Sequence, residues 1–234
     1  MSFRRPRLSF ILPVSIVALG LSHSPTTASA QDSSSSRQSK SPASQKAPRN
    51  SPLAAGSVSA GEYHNSTLGF TCKIPAGWVL RTEEMNAPDG ESTKAGGEKT
   101  ERDPSQAGRV LLAAFSRPPE AKAEDVNASI LIAAESAAAY PGLKDAAQYF
   151  GPVTEIARAQ GFEIDEEPYE YTLGTKKLVR GDFHKDVGTR VMRQSTLVIL
   201  ARGYAVSFTF IGGTEDEVGE LIEGLRFVTG APRK

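Results

Sequence analysis

The last forty residues constrain this chain more than any other stretch. Thr196-Leu-Val-Ile-Leu-Ala201 and Tyr204-Ala-Val-Ser-Phe-Thr-Phe-Ile211 flank Arg202-Gly203, and a helix signal begins at Thr214. The first run is apolar, as in a strand buried on both faces. The second alternates, placing Tyr204, Val206, Phe208 and Phe210 on one side and Ala205, Ser207 and Thr209 on the other. A two-residue connection ending in Gly predicts a tight hairpin. Thr214-Glu-Asp-Glu217 reads as a capping box, in which the hydroxyl and the carboxylate satisfy free backbone N–H groups. Glu215, Asp216 and Glu217 also suit the positive end of the helix dipole. Val218, Leu221, Ile222 and Leu225 then recur at helical spacing, one apolar stripe that lies on the hairpin. The signal is structural and holds no chemistry.

Charge divides the rest. The 234 residues carry 27 basic and 27 acidic side chains, but they are unevenly placed. Residues 1–30 have Arg4, Arg5 and Arg7 and no acid; residues 31–57 have Arg37, Lys40, Lys46 and Arg49 against Asp32. The part from Val58 onward is therefore acidic, which argues against nucleic acid as a partner, because phosphate binding needs a Lys/Arg surface. The basic start, the apolar Leu8–Leu21 run and Ala28-Ser29-Ala30 read as a secretory signal peptide cleaved after Ala30. That run is short for a membrane span, which takes ~20 residues; an uncleaved anchor is the alternative. The expected product is periplasmic or extracellular, with no transmembrane segment after cleavage. Residues 31–57, rich in Ser and Pro, read as a disordered linker. Its basic charge would suit an anionic envelope surface, or simply solvate a tether.

The folded part is expected over 58–234, enough for one hydrophobic core. Glu62–Asn65, Gly69–Ile74 and Trp78–Arg81 read as its first strands, with a turn at Pro75-Ala-Gly77. Residues 86–108 hold almost nothing large and apolar, and a loop that long is either functional or flexible. Arg109–Phe115 and Ala128–Ala133 read as central strands. Pro141-Gly142 opens a helical region carrying Leu143, Ala147 and Phe150; Pro152 kinks it or starts a second segment, which Gly161 ends. Phe162–Leu173, Lys176–Phe183 and Arg190–Ala201 complete the strands, the first acidic and the next two basic. These charges either pair across neighbouring strands or form a basic patch for an acidic partner. Short connections between successive strands predict an antiparallel β-sheet with helices packed on it, an α+β single domain.

Tyr63-x-Asn65, Leu68-Gly-Phe70 and Ile74-Pro-x-Gly-Trp78 together resemble the opening of PsbP/Mog1-like domains, and Gly203-Tyr204 with Leu225-Arg-Phe227 resembles their close. The likeness spans roughly residues 60–228, with 86–108 as a departure. It implies an α/β/α sandwich and a small non-enzymatic module that binds another protein, and it brings no site residue with it.

Chemistry is sparse. Cys72 is the only cysteine, which excludes an internal disulfide and a Cys-based zinc site; it reads as a small apolar strand residue, with pairing to another chain as the alternative. After residue 30 only His64 and His184 remain. His184 falls in Gly181-Asp-Phe-His-Lys-Asp186, a turn in this reading, where it is an exposed residue rather than a base. Asp182 and Asp186 have no recognised cation-loop spacing. Trp78 is a core anchor or, alternatively, the wall of a ligand pocket. Asn65-Ser-Thr67 is a glycosylation sequon. No catalytic, cofactor-binding or metal residue is nominated, and no cofactor is expected. The resulting expectation is an exported, monomeric, non-enzymatic module that serves an unidentified envelope protein. The rivals are a small-ligand carrier with a cavity between sheet and helices, and a hydrolase whose site is unrecognised. A pocket lined by Trp78 and tyrosines would favour the carrier; two or more acids converging on a histidine in a cleft would favour the enzyme.

Overall fold

The computed structural model describes residues 53–87, 108–121 and 125–228. The leader, most of the linker and most of the 86–108 loop lie outside the described residues.

The terminal hairpin is as its sequence predicts. Arg190–Ala201 (β10) pairs with Tyr204–Gly212 (β11), with Ala201 opposite Tyr204. The two turn residues have positive φ, 52° at Arg202 and 84° at Gly203, the twist that lets a two-residue loop continue paired strands. Around them lies an eight-stranded antiparallel sheet. Val79–Leu80 (β4), Arg109–Phe115 (β5) and Ser129–Ser136 (β6) run up to β11, and Lys176–Val187 (β9) lies beyond β10. The acidic run after Gly161 is not one strand. It splits into Glu163–Ile164 (β7) and Tyr169–Leu173 (β8), with Pro168 between, and both pair with β9.

The α+β antiparallel class holds, but the strands make two sheets. Ser57–Ser59 (β1), Glu62–Asn65 (β2), Phe70–Lys73 (β3) and Leu225–Phe227 (β12) form a separate four-stranded sheet. Leu225, expected on the terminal helix, instead starts β12 and sits opposite Cys72. The core lies between the sheets: Phe70, Cys72, Ile130, Ile132, Phe208 and Phe210 are each at most 1% exposed. Phe70 meets Phe208 edge-on with ring centroids 4.9 Å apart, the T-shaped geometry that aromatic pairs favour.

Glu215–Glu223 (α3) joins this core through Val218, Leu221 and Ile222. Thr214 Oγ1 accepts the Glu217 N–H at 3.1 Å, but the Glu217 carboxylate reaches one residue further back than a capping box requires, accepting the Gly213 N–H at 2.7 Å. The opposite face of the large sheet is covered by Phe150–Ala159 (α2), which packs Phe150 and Ala157 toward Phe183, Val198 and Ala205. The helical region expected from Pro141 yields only one short 3₁₀ turn, Ala147–Tyr149, before α2 begins at Phe150; another such turn, Ala137–Ala139, precedes Pro141. Pro152 falls in the first turn of α2, where its missing N–H costs nothing. Gly161 (φ 84°) ends the helix, with the Phe162 N–H on Ala157 O at 2.9 Å and the Gly161 N–H on Arg158 O at 2.9 Å, a Schellman motif.

Two further features depart from the sequence reading. Thr82–Asn86 (α1) is a short helix just before the 86–108 loop. Asn86 ends it by acting as a strand neighbour: its Oδ1 accepts the Val110 N–H at 3.0 Å and its Nδ2 donates to Val110 O at 2.7 Å. The folded part also reaches back to Leu53, five residues before Val58. Leu53 is only 7% exposed and belongs to the core between the sheets.

Candidate functional site

Polar side chains concentrate on β9 and its neighbours. Along β9, Val179 and Phe183 face α2, so the alternating Arg180, Asp182 and His184 face the other way. Register places Asp182 opposite Ser195 and His184 opposite Arg193 on β10. Asp182 is the hub. Ser195 Oγ and Arg180 Nε donate to its Oδ1, the latter at 2.9 Å, and Tyr169 OH donates to Oδ2 at 2.9 Å. The Arg180 guanidinium also lies 5.3 Å above the Tyr171 ring, a cation–π contact. Burial, and then the Asp182 carboxylate, pushes the Tyr169 phenol up to about 12. Tyr169 therefore stays a protonated donor through neutral pH.

His184 continues the strip. Its Nδ1 lies 2.5 Å from Asp165 Oδ1 and its Nε2 lies 3.8 Å from Glu163 Oε2. Arg193 Nη1 then spans from Asp165 (3.8 Å) to Glu215 at the start of α3 (3.1 Å). A groove of about 640 Å³ opens beside Arg193, between the β9–β10 turn and the first turn of α3, lined by Asp125, Val126, Arg190, Thr214 and Asp216 among others. A smaller pocket of about 170 Å³ lies by Glu163, His184, Lys185 and Asp186. The outer pairs, such as Arg193 with the exposed Glu215, contribute ~0–1 kcal/mol each, so they fix a charge pattern more than they stabilise the fold.

The charges of the acidic and basic strands do pair: Lys177 Nζ meets Glu170 Oε1 at 2.9 Å, besides the contacts of His184 and Arg193 with Asp165. His184 lies within β9, not in a turn; the hairpin turn falls four residues later because β9 extends to Val187. Two acids do converge on it. Ser195, opposite Asp182 on β10, is 3% exposed and donates its hydroxyl hydrogen bond to Asp182, so it does not serve His184 as a nucleophile. His64 pairs with Glu62 at 3.4 Å on β2, in the other sheet from His184. Among the described residues, no group of three or more His, Cys, Asp or Glu side chains could hold a metal ion.

Trp78 packs half-buried against the core and lines neither the groove nor the small pocket. Cys72 is fully buried, and burial pushes its thiol up to about 12, which leaves it a packing residue. The sequon nitrogen is engaged: Asn65 is 1% exposed, and its Nδ2 donates to Ala54 O at 3.2 Å and to Tyr63 OH at 3.0 Å. A cluster that sequence reasoning missed joins Glu135 of β6 to Tyr140, whose hydroxyl donates to the carboxylate, and to Tyr149, which stacks edge-on with Tyr140 at 5.2 Å. Burial and the nearby Glu135 raise both phenols well above their usual range. No local spacing signals this cluster, because a strand and two separate turns contribute to it.

Among the described residues, no helix is long and apolar enough to cross a membrane. No protein-family model matches the chain, and no curated protein matches it. Several solved structures are similar at low identity. Cyanobacterial PsbP (CyanoP) from Synechocystis is 15% identical with a TM-score of 0.41, covering 74% of this chain and 96% of that one. LpqN, involved in cell envelope biogenesis of Mycobacterium tuberculosis, is 17% identical with a TM-score of 0.32, covering 66% and 76%. A Pseudomonas aeruginosa protein of unknown function is 17% identical with a TM-score of 0.34, covering 58% and 88%. At these TM-scores the likenesses assign neither a family nor a function.

Proposed function

We propose that this chain is an exported, non-enzymatic module that binds an envelope protein through the charged strip and the adjoining groove. The observation that carries the reading is the arrangement of the strip. Its charges are spread along β7, β9, β10 and the start of α3 and are paired with one another. Such a surface suits recognition of a polar protein face, where charge complementarity sets specificity and association rate more than affinity. Export rests on the leader-like residues 1–30. The absence of a catalytic role and a monomeric domain belong to the same proposal.

The test is affinity capture of the mature protein from its native envelope, followed by mass spectrometry, with Arg190→Glu and Asp216→Lys together as the comparison. Both residues line the groove and both are exposed, so the fold should be kept, with melting temperature lowered only slightly because Asp216 leaves the positive end of the α3 dipole. A partner captured by the wild type and lost by the double variant supports the proposal. Equal capture by both removes the groove from it. A second reading has one observation behind it, the pair of acids on His184. In that reading Asp165 orients the imidazole, which acts as a base in the small pocket. Turnover of ester or amide substrates that His184→Gln abolishes would select it over the first.

A further inference from the structure

The Leu53–Gly56 segment lies outside every strand, and side chains hold it in place. Three donors on β2 and β5 read three successive carbonyls: Arg109 Nη1 donates to Leu53 O at 3.4 Å, Asn65 Nδ2 to Ala54 O at 3.2 Å, and Tyr63 OH to Ala55 O at 2.6 Å. Leu53 fills a place in the core, and Gly56 turns the chain away at φ 78°. A Cβ on Gly56 would stand 2.4 Å from the Tyr63 hydroxyl and 2.7 Å from His64 O, so only glycine passes here. This is how a groove binds an extended peptide, with main-chain groups supplying affinity and one anchored side chain supplying specificity. The binder and the bound segment happen to be parts of one chain.

We propose that β2 and β5 form a peptide-binding slot, closed in this structure by the chain's own Leu53–Gly56 strap, and that the slot also takes this strap from a second copy of the chain. The strap is the one segment shown to fit, so a second copy supplies the matching ligand. Exchange of an identical element between copies is a low-cost route to a dimer, because every contact made in cis is remade in trans. The tether sets the balance. A tethered segment competes at an effective concentration in the millimolar range, so dilute chains keep their own strap and are monomeric. Copies brought close together, as on a crowded surface, exchange. The slot lies on β2 and β5, away from the residues that line the groove between β10 and α3, so variants of that groove leave it unchanged.

The probe is a peptide of residues 50–56, Asn-Ser-Pro-Leu-Ala-Ala-Gly, ending before β1, labelled for fluorescence anisotropy and titrated into the full-length chain. Two full-length variants release the strap by different routes, Gly56→Ala through the collision with Tyr63 and Leu53→Ser through loss of the anchor. Both should bind the peptide at least about tenfold more tightly than the wild type, whose slot is filled. Adding Arg109→Ala to either should weaken binding by about fivefold, the loss of one hydrogen bond. Sedimentation of the wild type should show monomer at micromolar concentration and a growing dimer toward millimolar. Folded variants that ignore the peptide would overturn the proposal, and so would wild type and variants that bind it equally. If both variants fail to fold, the strap is an inseparable part of the core and the slot does not exist. A scrambled peptide that keeps its leucine and binds as well would overturn the second-copy assignment, and so would a wild type that stays monomeric at every concentration.

Discussion

The two faces of the large sheet are covered in different ways. One packs against a second sheet and α3, and its core runs continuously from Leu53 through Phe70, Phe208 and Phe210 to Ile222 and Leu225. The other packs against α2 and the Tyr140–Tyr149 pair, with a smaller cluster around Phe150, Phe183 and Val198. Buried apolar area is the dominant favourable contribution to folding, so the first face should carry most of the stability and the second should open first. The polar strip borders the heavily packed face, on strands that cannot shift without disturbing that core. A charge pattern built there keeps its geometry.

The largest expected effect breaks the first face. Ile222→Asp puts an unpaired carboxylate into a site 1% exposed. An isolated buried charge costs several kcal/mol, against ~5–15 kcal/mol for a whole domain, so the variant should be largely unfolded or insoluble. Circular dichroism of the purified chain checks it. The second face should respond less. Phe150 lies so close to β9 that a Cβ on Gly181 would be 2.5 Å from its ring, and truncating it leaves a cavity there. Phe150→Ala should cost about 3 kcal/mol by chemical denaturation, at the low end for a buried Phe because a helix at the margin can settle inward. The protein should remain folded. Smaller still, Thr214→Ala removes the side-chain acceptor at the start of α3 and should cost ~1 kcal/mol. Glu220→Ala and Glu223→Ala, on the exposed side of the same helix, should change stability by no more than ~0.5 kcal/mol.

The same comparison explains what the sequence made legible. The hairpin, α3 and its apolar stripe are written in local signals: alternation, a Gly-containing turn, Thr214 and the spacing of Val218, Leu221 and Ile222. The second sheet is not local. Leu225 pairs with Cys72 across most of the folded chain, and the three residues of β12 read equally well as the end of a helix. Leu53 was hidden for a related reason. One leucine among Ser, Pro and Ala looks like a spacer, and its burial depends on donors at Tyr63, Asn65 and Arg109 that no spacing rule connects to it. In the candidate site, Gly181–Asp186 read as a turn, so the shared face of Asp182 and His184 became visible only because β9 runs on to Val187. Their partners Asp165, Tyr169 and Ser195 emerged only from the pairing of β7, β8 and β10 with β9. Pairing of acidic with basic strands was readable from composition, whereas the split at Pro168 was not.

Native-state hydrogen exchange tests the inequality of the two faces most directly. Amides of α3 should exchange only through global unfolding, with the full stability of the domain behind them. Amides of α2 should exchange through a smaller opening, at a free energy measurably lower and less dependent on denaturant. If α2 amides are protected as strongly as those of α3 and respond to denaturant in the same way, both faces belong to one cooperative unit, and the account of an anchored face and a looser one is wrong.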